Sequence, residues 1–167
     1  NDPAIAIDDV KYLEEFYALD GGRCTQYFDV LGVHANATHN PPDTMWPDNP
    51  GPGPGWQDHP SFNFRRAEQL RAVMEKHGDT RPVWITEFGW TTANPAPGYE
   101  YGANVSEEEQ AQYLVRAFEI ARTQWPWVTG MFVWNLNFST IVGPEDEKGP
   151  WSVLNPDWSP RPAYEAL

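Results

Sequence analysis

The stretch "RPVWITEFGW", residues 81–90, decides the fold. Val83, Trp84 and Ile85 read as a short apolar strand, with Trp84 taken as core, and the strand ends on an acid, Glu87. Phe88, Gly89 and Trp90 follow directly. Two further runs have the same character. Residues 27–35, "YFDVLGVHA", carry Val30, Leu31 and Val33, and residues 128–138 read "VTGMFVWNLNF". Strands apolar on both faces are the mark of a parallel sheet covered by helices.

Helical patterns alternate with these strands. Asp8 is a plausible N-cap for a helix whose apolar residues are Val10, Leu13, Phe16 and Tyr17, ended by Asp20-Gly21-Gly22. A second helix is expected from near Ser61, with Ala67, Leu70, Val73, Met74 and His77 on one face, stopping at Gly78. Ser106 and Glu109 form a capping-box signature ahead of Leu114, Ala117, Phe118 and Ala121. Trp125-Pro126 closes that helix, and the C-terminal "RPAYEAL" begins one more turn.

Strict alternation of strand and helix leads to a doubly wound open sheet or to a (β/α)8 barrel. No Gly-rich phosphate loop follows a strand, which weakens the nucleotide-binding version. The connections after strands are long: residues 36–60, 91–104 and the segment after 138. Those after helices are short. The elaboration therefore falls at the C-terminal ends of the strands, where a barrel carries its active site.

Composition narrows the function classes. The 167 residues hold 24 acids against 11 bases, a formal charge of -13, which argues against nucleic acid or an anionic membrane as partner. No apolar run is long enough for a bilayer span. The single Cys24 permits no internal disulfide and reads as a packed apolar residue. His34, His39, Asp43, Asp48 and His59 match no metal-site spacing, and no cofactor is implied. The Asn36, Asn104 and Asn137 sequons are short patterns that arise by chance. Localisation stays open. Nine Trp are unusual for this length and demand an account.

Three strand ends share one face: His34, Glu87 and Trp134-Asn135. An acid there is either held in an ion pair, by Arg23, Arg65, Arg66 or Arg81, or kept for chemistry. A sugar site explains the company Glu87 keeps. Glycoside hydrolysis uses two carboxylates around an oxocarbenium-like transition state. Aromatic faces cover the apolar faces of sugar rings, which suits Trp90 and Trp134. Polar side chains bond the hydroxyls, which suits His34 and Asn135. Trp46 and Trp56, flanking the Pro/Gly stretch, are expected to line the cleft.

"YFDVLGVHAN", "RPVWITEFGW" and "VTGMFVWNLNF" resemble the sixth, seventh and eighth strands of clan-A glycoside hydrolases, with family 39 and cellulase-like family 5 the most similar. "LNPDWSPRPAYEAL" resembles the end of such barrels. The resemblance implies a fold, the C-terminal portion of a (β/α)8 TIM barrel with strands six to eight, over residues 1–167 as a partial catalytic domain. It also implies roles. Glu87 matches the nucleophile of a retaining mechanism, Trp134 the floor of the sugar subsite, and His34 the first residue of a His-x-Tyr element. Asn36 stands where that element has Tyr.

The acid/base partner, expected in an Asn-Glu pair on the fourth strand, has no counterpart here, since Asn-Glu occurs nowhere in the sequence. A barrel has eight strands and about 250 residues. The sequence accordingly reads as the C-terminal part of an enzyme acting on a β-linked oligo- or polysaccharide, inactive alone, that needs the missing N-terminal barrel segment or self-associates. The competing expectation is a non-catalytic carbohydrate-binding protein on the same scaffold.

Overall fold

A computed structural model describes residues 6–47 and 59–167. Its order is α1 (Asp9–Ala18), β1 (Leu31–His34), α2 (Arg66–Lys76), β2 (Val83–Phe88), α3 (Glu107–Gln124), β3 (Val128–Val133) and α4 (Pro162–Ala166), with short 3-10 turns in the connections. The strands form one parallel sheet in the order β1-β2-β3. Parallel neighbours cannot be joined by a tight turn, so a helix lies between each pair.

The helix signals act as the sequence indicates, with one shift. Asp8 Oδ1 accepts from the Lys11 amide at 3.1 Å and starts α1. Ser106 and Glu109 close a reciprocal capping box at α3. The second helix begins at Arg66 rather than near Ser61. Residues 60–65 are held instead as turns, with Asn63 Nδ2 donating to the His59 carbonyl at 3.0 Å. Gly78 ends that helix region at φ 73°, a left-handed conformation that a residue with a Cβ resists.

Among the described residues the sheet is covered on one face only. Val33, Val83, Ile85 and Phe88 are buried against Phe64, Met74, Leu114, Ala117 and Ile120 from the loop and helices behind. On the opposite face Trp84 is 41% exposed and Phe132 50% exposed. The strands are thus not buried on both faces: Leu31 and Val33 share the helix side, and Val30 precedes the strand. Trp84 is not core in this chain. Its neighbours in register are Gly32 and Gly130, so its indole spreads over the inner face, with Nε1 donating to Thr129 Oγ1 at 3.1 Å.

Polar anchors fix the helices to the sheet. Arg66, only 4% exposed, joins α2 to Asp8 and Asp9 at the start of α1. Tyr17 donates to Asp79 at 2.7 Å, and Asp79 also meets Arg81 at 3.0 Å. Arg161 bonds Glu107 at 2.7 Å and the Ser152 carbonyl at 2.6 Å, which sets α4 against α3. No helix among the described residues is long and apolar enough to cross a membrane.

Candidate functional site

Strand β2 alternates Val83 in, Trp84 out, Ile85 in, Thr86 out, and that rhythm alone sends Glu87 towards the helices. The register with its neighbours shifts between Ile85 and Phe88, and against β1 between Val33 and His34. Phe88 is consequently the buried residue, and Glu87 turns to the open side, its side chain 39% exposed. A local bulge that re-aims one side chain at a strand end is a recurrent feature beside active sites.

Glu87 opens into a pocket of about 150 Å³ lined by the three strand ends and two loops. His34 and Asn36 come from the end of β1, Gly89 from β2, and Trp134 from β3. Tyr99 arrives on the loop after β2; Glu147 and Trp151 arrive on the loop after β3. Among the described residues Glu87 has no arginine partner. Arg23 meets Asp20, Arg65 meets Glu68, Arg66 meets Asp8 and Asp9, and Arg81 meets Asp79. Among the described residues the ionisable side chain nearest to pairing with Glu87 is His34, its Nδ1 at 3.8 Å.

Backbone bonds lock the strand ends together. The Ala35 amide donates to the Glu87 carbonyl at 3.0 Å, and the Trp134 amide to the Phe88 carbonyl at 2.8 Å. Gly89 is required by that closeness: a Cβ there would lie 2.3 Å from the Trp134 carbonyl oxygen and 3.4 Å from the Trp151 ring. Gly89→Ala is expected to cost about 1–3 kcal/mol by overpacking, roughly 5 °C in Tm, and to displace Trp134 from the pocket wall. Thermal melting of the variant checks this; an unchanged midpoint contradicts it.

The expected site residues divide. His34, Asn36, Glu87 and Trp134 meet in one pocket. Trp90 does not join them. It is 0% exposed, its Nε1 donates to the Asn40 carbonyl at 2.8 Å, and its ring packs against Phe64 and Tyr113. Its faces are not available to a sugar, and it serves to tie the loop after β1 to the core. Asn135 is likewise committed. Its Nδ2 donates to the Lys148 carbonyl at 2.8 Å, while its Oδ1 accepts from Phe138 N at 3.0 Å and Ser152 Oγ at 2.9 Å. It holds the loop that delivers Glu147 and Trp151 instead of reaching a ligand. Trp46 lines a separate pocket with Asn63, Arg65 and Gln69. Trp56 and Asp48 lie outside the described residues.

Tyr99, Glu147 and Trp151 are the residues that sequence reading missed. Their loops lack periodicity, and the signal was only that aromatics sit among Pro and Gly in "PAPGYEYG" and "EKGPW". The structure brings the two loops together: Asn94 Nδ2 donates to Thr91 Oγ1 at 2.8 Å and to the Glu147 carbonyl at 2.9 Å. The Tyr99 ring meets the Trp151 ring edge-on, centroids 6.4 Å apart. Burial, and next the charge of Glu147, push the Tyr99 phenol above its ordinary value, with Glu87 adding to the effect. Tyr99 therefore stays a neutral donor at neutral pH. Beside the pocket, Asn36 bonds the buried Tyr101 hydroxyl, whose ionisation is likewise pushed up, chiefly by burial. Glu147 Oε1 is 3.0 Å from Lys148 Nζ.

This arrangement offers a half-exposed carboxylate, a flanking imidazole, aromatic walls and neutral donors at the C-terminal ends of parallel strands. No group of His, Cys, Asp and Glu suited to a metal ion occurs among the described residues. No family model matches the sequence, and no curated protein matches it. Solved structures do. A family 39 glycoside hydrolase from the gut symbiont Bacteroides cellulosilyticus WH2 aligns with a TM-score of 0.62 at 22% identity, over 94% of this chain and 28% of that one. A beta-glucuronidase from Bifidobacterium dentium, solved with coumarin-3-O-glucuronide, aligns with a TM-score of 0.50 at 22% identity, over 84% of this chain and 20% of that one. The chain thus spans under a third of the length of either. Its structural neighbours are glycoside hydrolases, and its fold is that of a segment of the (β/α)8 barrel on which they are built.

Proposed function

We propose that this chain carries the nucleophile side of a retaining glycoside hydrolase acting on a β-linked oligo- or polysaccharide, as part of a larger catalytic barrel. The observation that carries the reading is Glu87 itself. It is a carboxylate turned by a register shift into a pocket with aromatic walls, without, among the described residues, the arginine that a structural ion pair needs. In this reading Glu87 Oε attacks the anomeric carbon as the bond to the leaving oxygen breaks, giving a glycosyl ester. An acid protonates the leaving oxygen, then as base activates the water that hydrolyses the ester. That acid is contributed by the rest of the barrel. Glu147 is engaged with Lys148 and serves as an acceptor for the sugar.

Trp134 and Trp151 bound the ring, while His34, Asn36 and Tyr99 address hydroxyls. The remaining strands are the natural cover for the inner face that bears Trp84 and Phe132. Covalent trapping tests the assignment. Full-length polypeptide treated with an aryl 2-deoxy-2-fluoro-β-glycoside should gain one sugar mass, and the labelled peptide should map to Glu87. Label on another carboxylate, or turnover with inversion, removes Glu87 from the nucleophile role.

A further inference from the structure

Tyr99 brings an unspent hydroxyl to the pocket of Glu87. Its side chain lines that pocket and is half-buried. Among the described residues its phenol oxygen takes part in no hydrogen bond, and it is not one of the enclosed polar atoms without a partner. The oxygen is therefore open to a ligand. Burial, then the charge of Glu147, raises the phenol, and the charge of Glu87 adds to the rise. Tyr99 thus stands in the field of both pocket acids and hydrogen-bonds to neither.

Glu147 is open in the complementary sense. Its side chain is 26% exposed, and its Oε1 lies 3.0 Å from Lys148 Nζ. Its second carboxylate oxygen accepts no hydrogen bond among the described residues. Both residues are held by their surroundings. The Tyr99 ring stands edge-on to Trp151, and the Tyr99 carbonyl accepts from the Gly102 amide at 2.9 Å. The Glu147 carbonyl accepts from Asn94 Nδ2 at 2.9 Å. Groups so held are organised before any ligand arrives.

An open phenol donor and an open carboxylate acceptor in one pocket, not bonded to each other, suit a group that accepts and donates at once. A hydroxyl does both; a ring ether oxygen only accepts, and an ammonium only donates. We propose that Tyr99 and Glu147 read one hydroxyl of the sugar together, Tyr99 donating to its oxygen and Glu147 accepting from its O–H, which makes the pair specificity-determining residues for a sugar that carries that hydroxyl. The inference rests on the reading of this pocket as a sugar site.

The experiment uses the full-length polypeptide, an aryl β-glycoside that it hydrolyses, and the monodeoxy analogues of that glycoside. Tyr99→Phe removes the oxygen and keeps the ring, and should lower kcat/KM on the parent sugar about tenfold. Glu147→Ala removes a charged acceptor and should lower it about 30-fold. On one deoxy analogue, the same for both, neither substitution should lower the rate. The double variant should lose less than the product of the single losses, because both side chains act on one group. A different analogue for each variant, an equal loss across the whole series, or no loss in either variant overturns the proposal. Should Glu147→Ala fold poorly, Glu147→Gln keeps the volume, and its loss must vanish on the same analogue. If the wild type neither hydrolyses nor binds any glycoside, the sugar-site reading itself falls and this inference with it. A hydrolysing wild type with indifferent variants refutes the inference alone.

Discussion

Glu87→Gln in the full-length polypeptide is expected to lower kcat on aryl β-glycosides by about 10⁴-fold, roughly 5 kcal/mol of barrier, with sugar affinity almost unchanged. The amide fills the same space between His34 and Trp134 and keeps a hydrogen-bonding head, so the pocket and its aromatic walls survive. What disappears is the carboxylate that, in the proposed mechanism, forms the bond to the anomeric carbon. The 3.8 Å contact with His34 Nδ1 is long and both partners are part-exposed, so its loss removes little stability. Steady-state rates and calorimetric titration with a non-hydrolysed glycoside separate the outcomes. Unchanged turnover in Glu87→Gln sinks the nucleophile assignment. A wild type that binds sugars without hydrolysing them, together with a Glu87→Gln variant that binds weakly, fits a non-catalytic carbohydrate-binding protein instead.

Much of this scaffold was legible because local chemistry decides it. Asp8, Ser106 with Glu109, and Gly78 mark helix ends by satisfying or releasing backbone groups within a few residues. Strand alternation with helices left a doubly wound sheet or a barrel open; long loops at one end favoured the barrel, and the resemblance to clan-A glycoside hydrolases pointed to its C-terminal part, the fold shared with the structural neighbours. The site was harder. Glu87 reaches the pocket only because β2 shifts register between Ile85 and Phe88, and nothing in the residue order announces that shift. Trp90 looked like a platform by adjacency to Glu87. The continuing chain instead carries it into the core, where Asn40 and Gln110 hold it from both sides. Asn135 looked free to bond a ligand, but its amide is consumed by three loop contacts. Tyr99, Glu147 and Trp151 depend on two loops meeting through Asn94, a contact 53 residues apart in sequence.

The inner face of the sheet makes the second large prediction. Among the described residues β1 and β3 are edges, and a twisted parallel sheet of this kind is closed in a barrel by further strands. Trp84 stands between Gly32 and Gly130 in register, and a Cβ on Gly130 would lie 3.0 Å from the indole. One large ring thus fills a layer in which both flanking positions contribute no side chain, and Phe132 touches it with ring centroids 5.8 Å apart. In a completed barrel nothing else on these strands is placed to refill that volume. Trp84→Ala in the full-length polypeptide should therefore cost about 3–5 kcal/mol, a Tm loss on the order of 10 °C, although Trp84 is 41% exposed in the chain described here. The isolated 167-residue chain, by contrast, should self-associate through its open edges and apolar inner face. Light scattering and calorimetry decide both points. A monodisperse monomer that melts cooperatively, or a full-length Trp84→Ala variant as stable as the parent, is incompatible with an inner face built to be covered by the rest of a barrel.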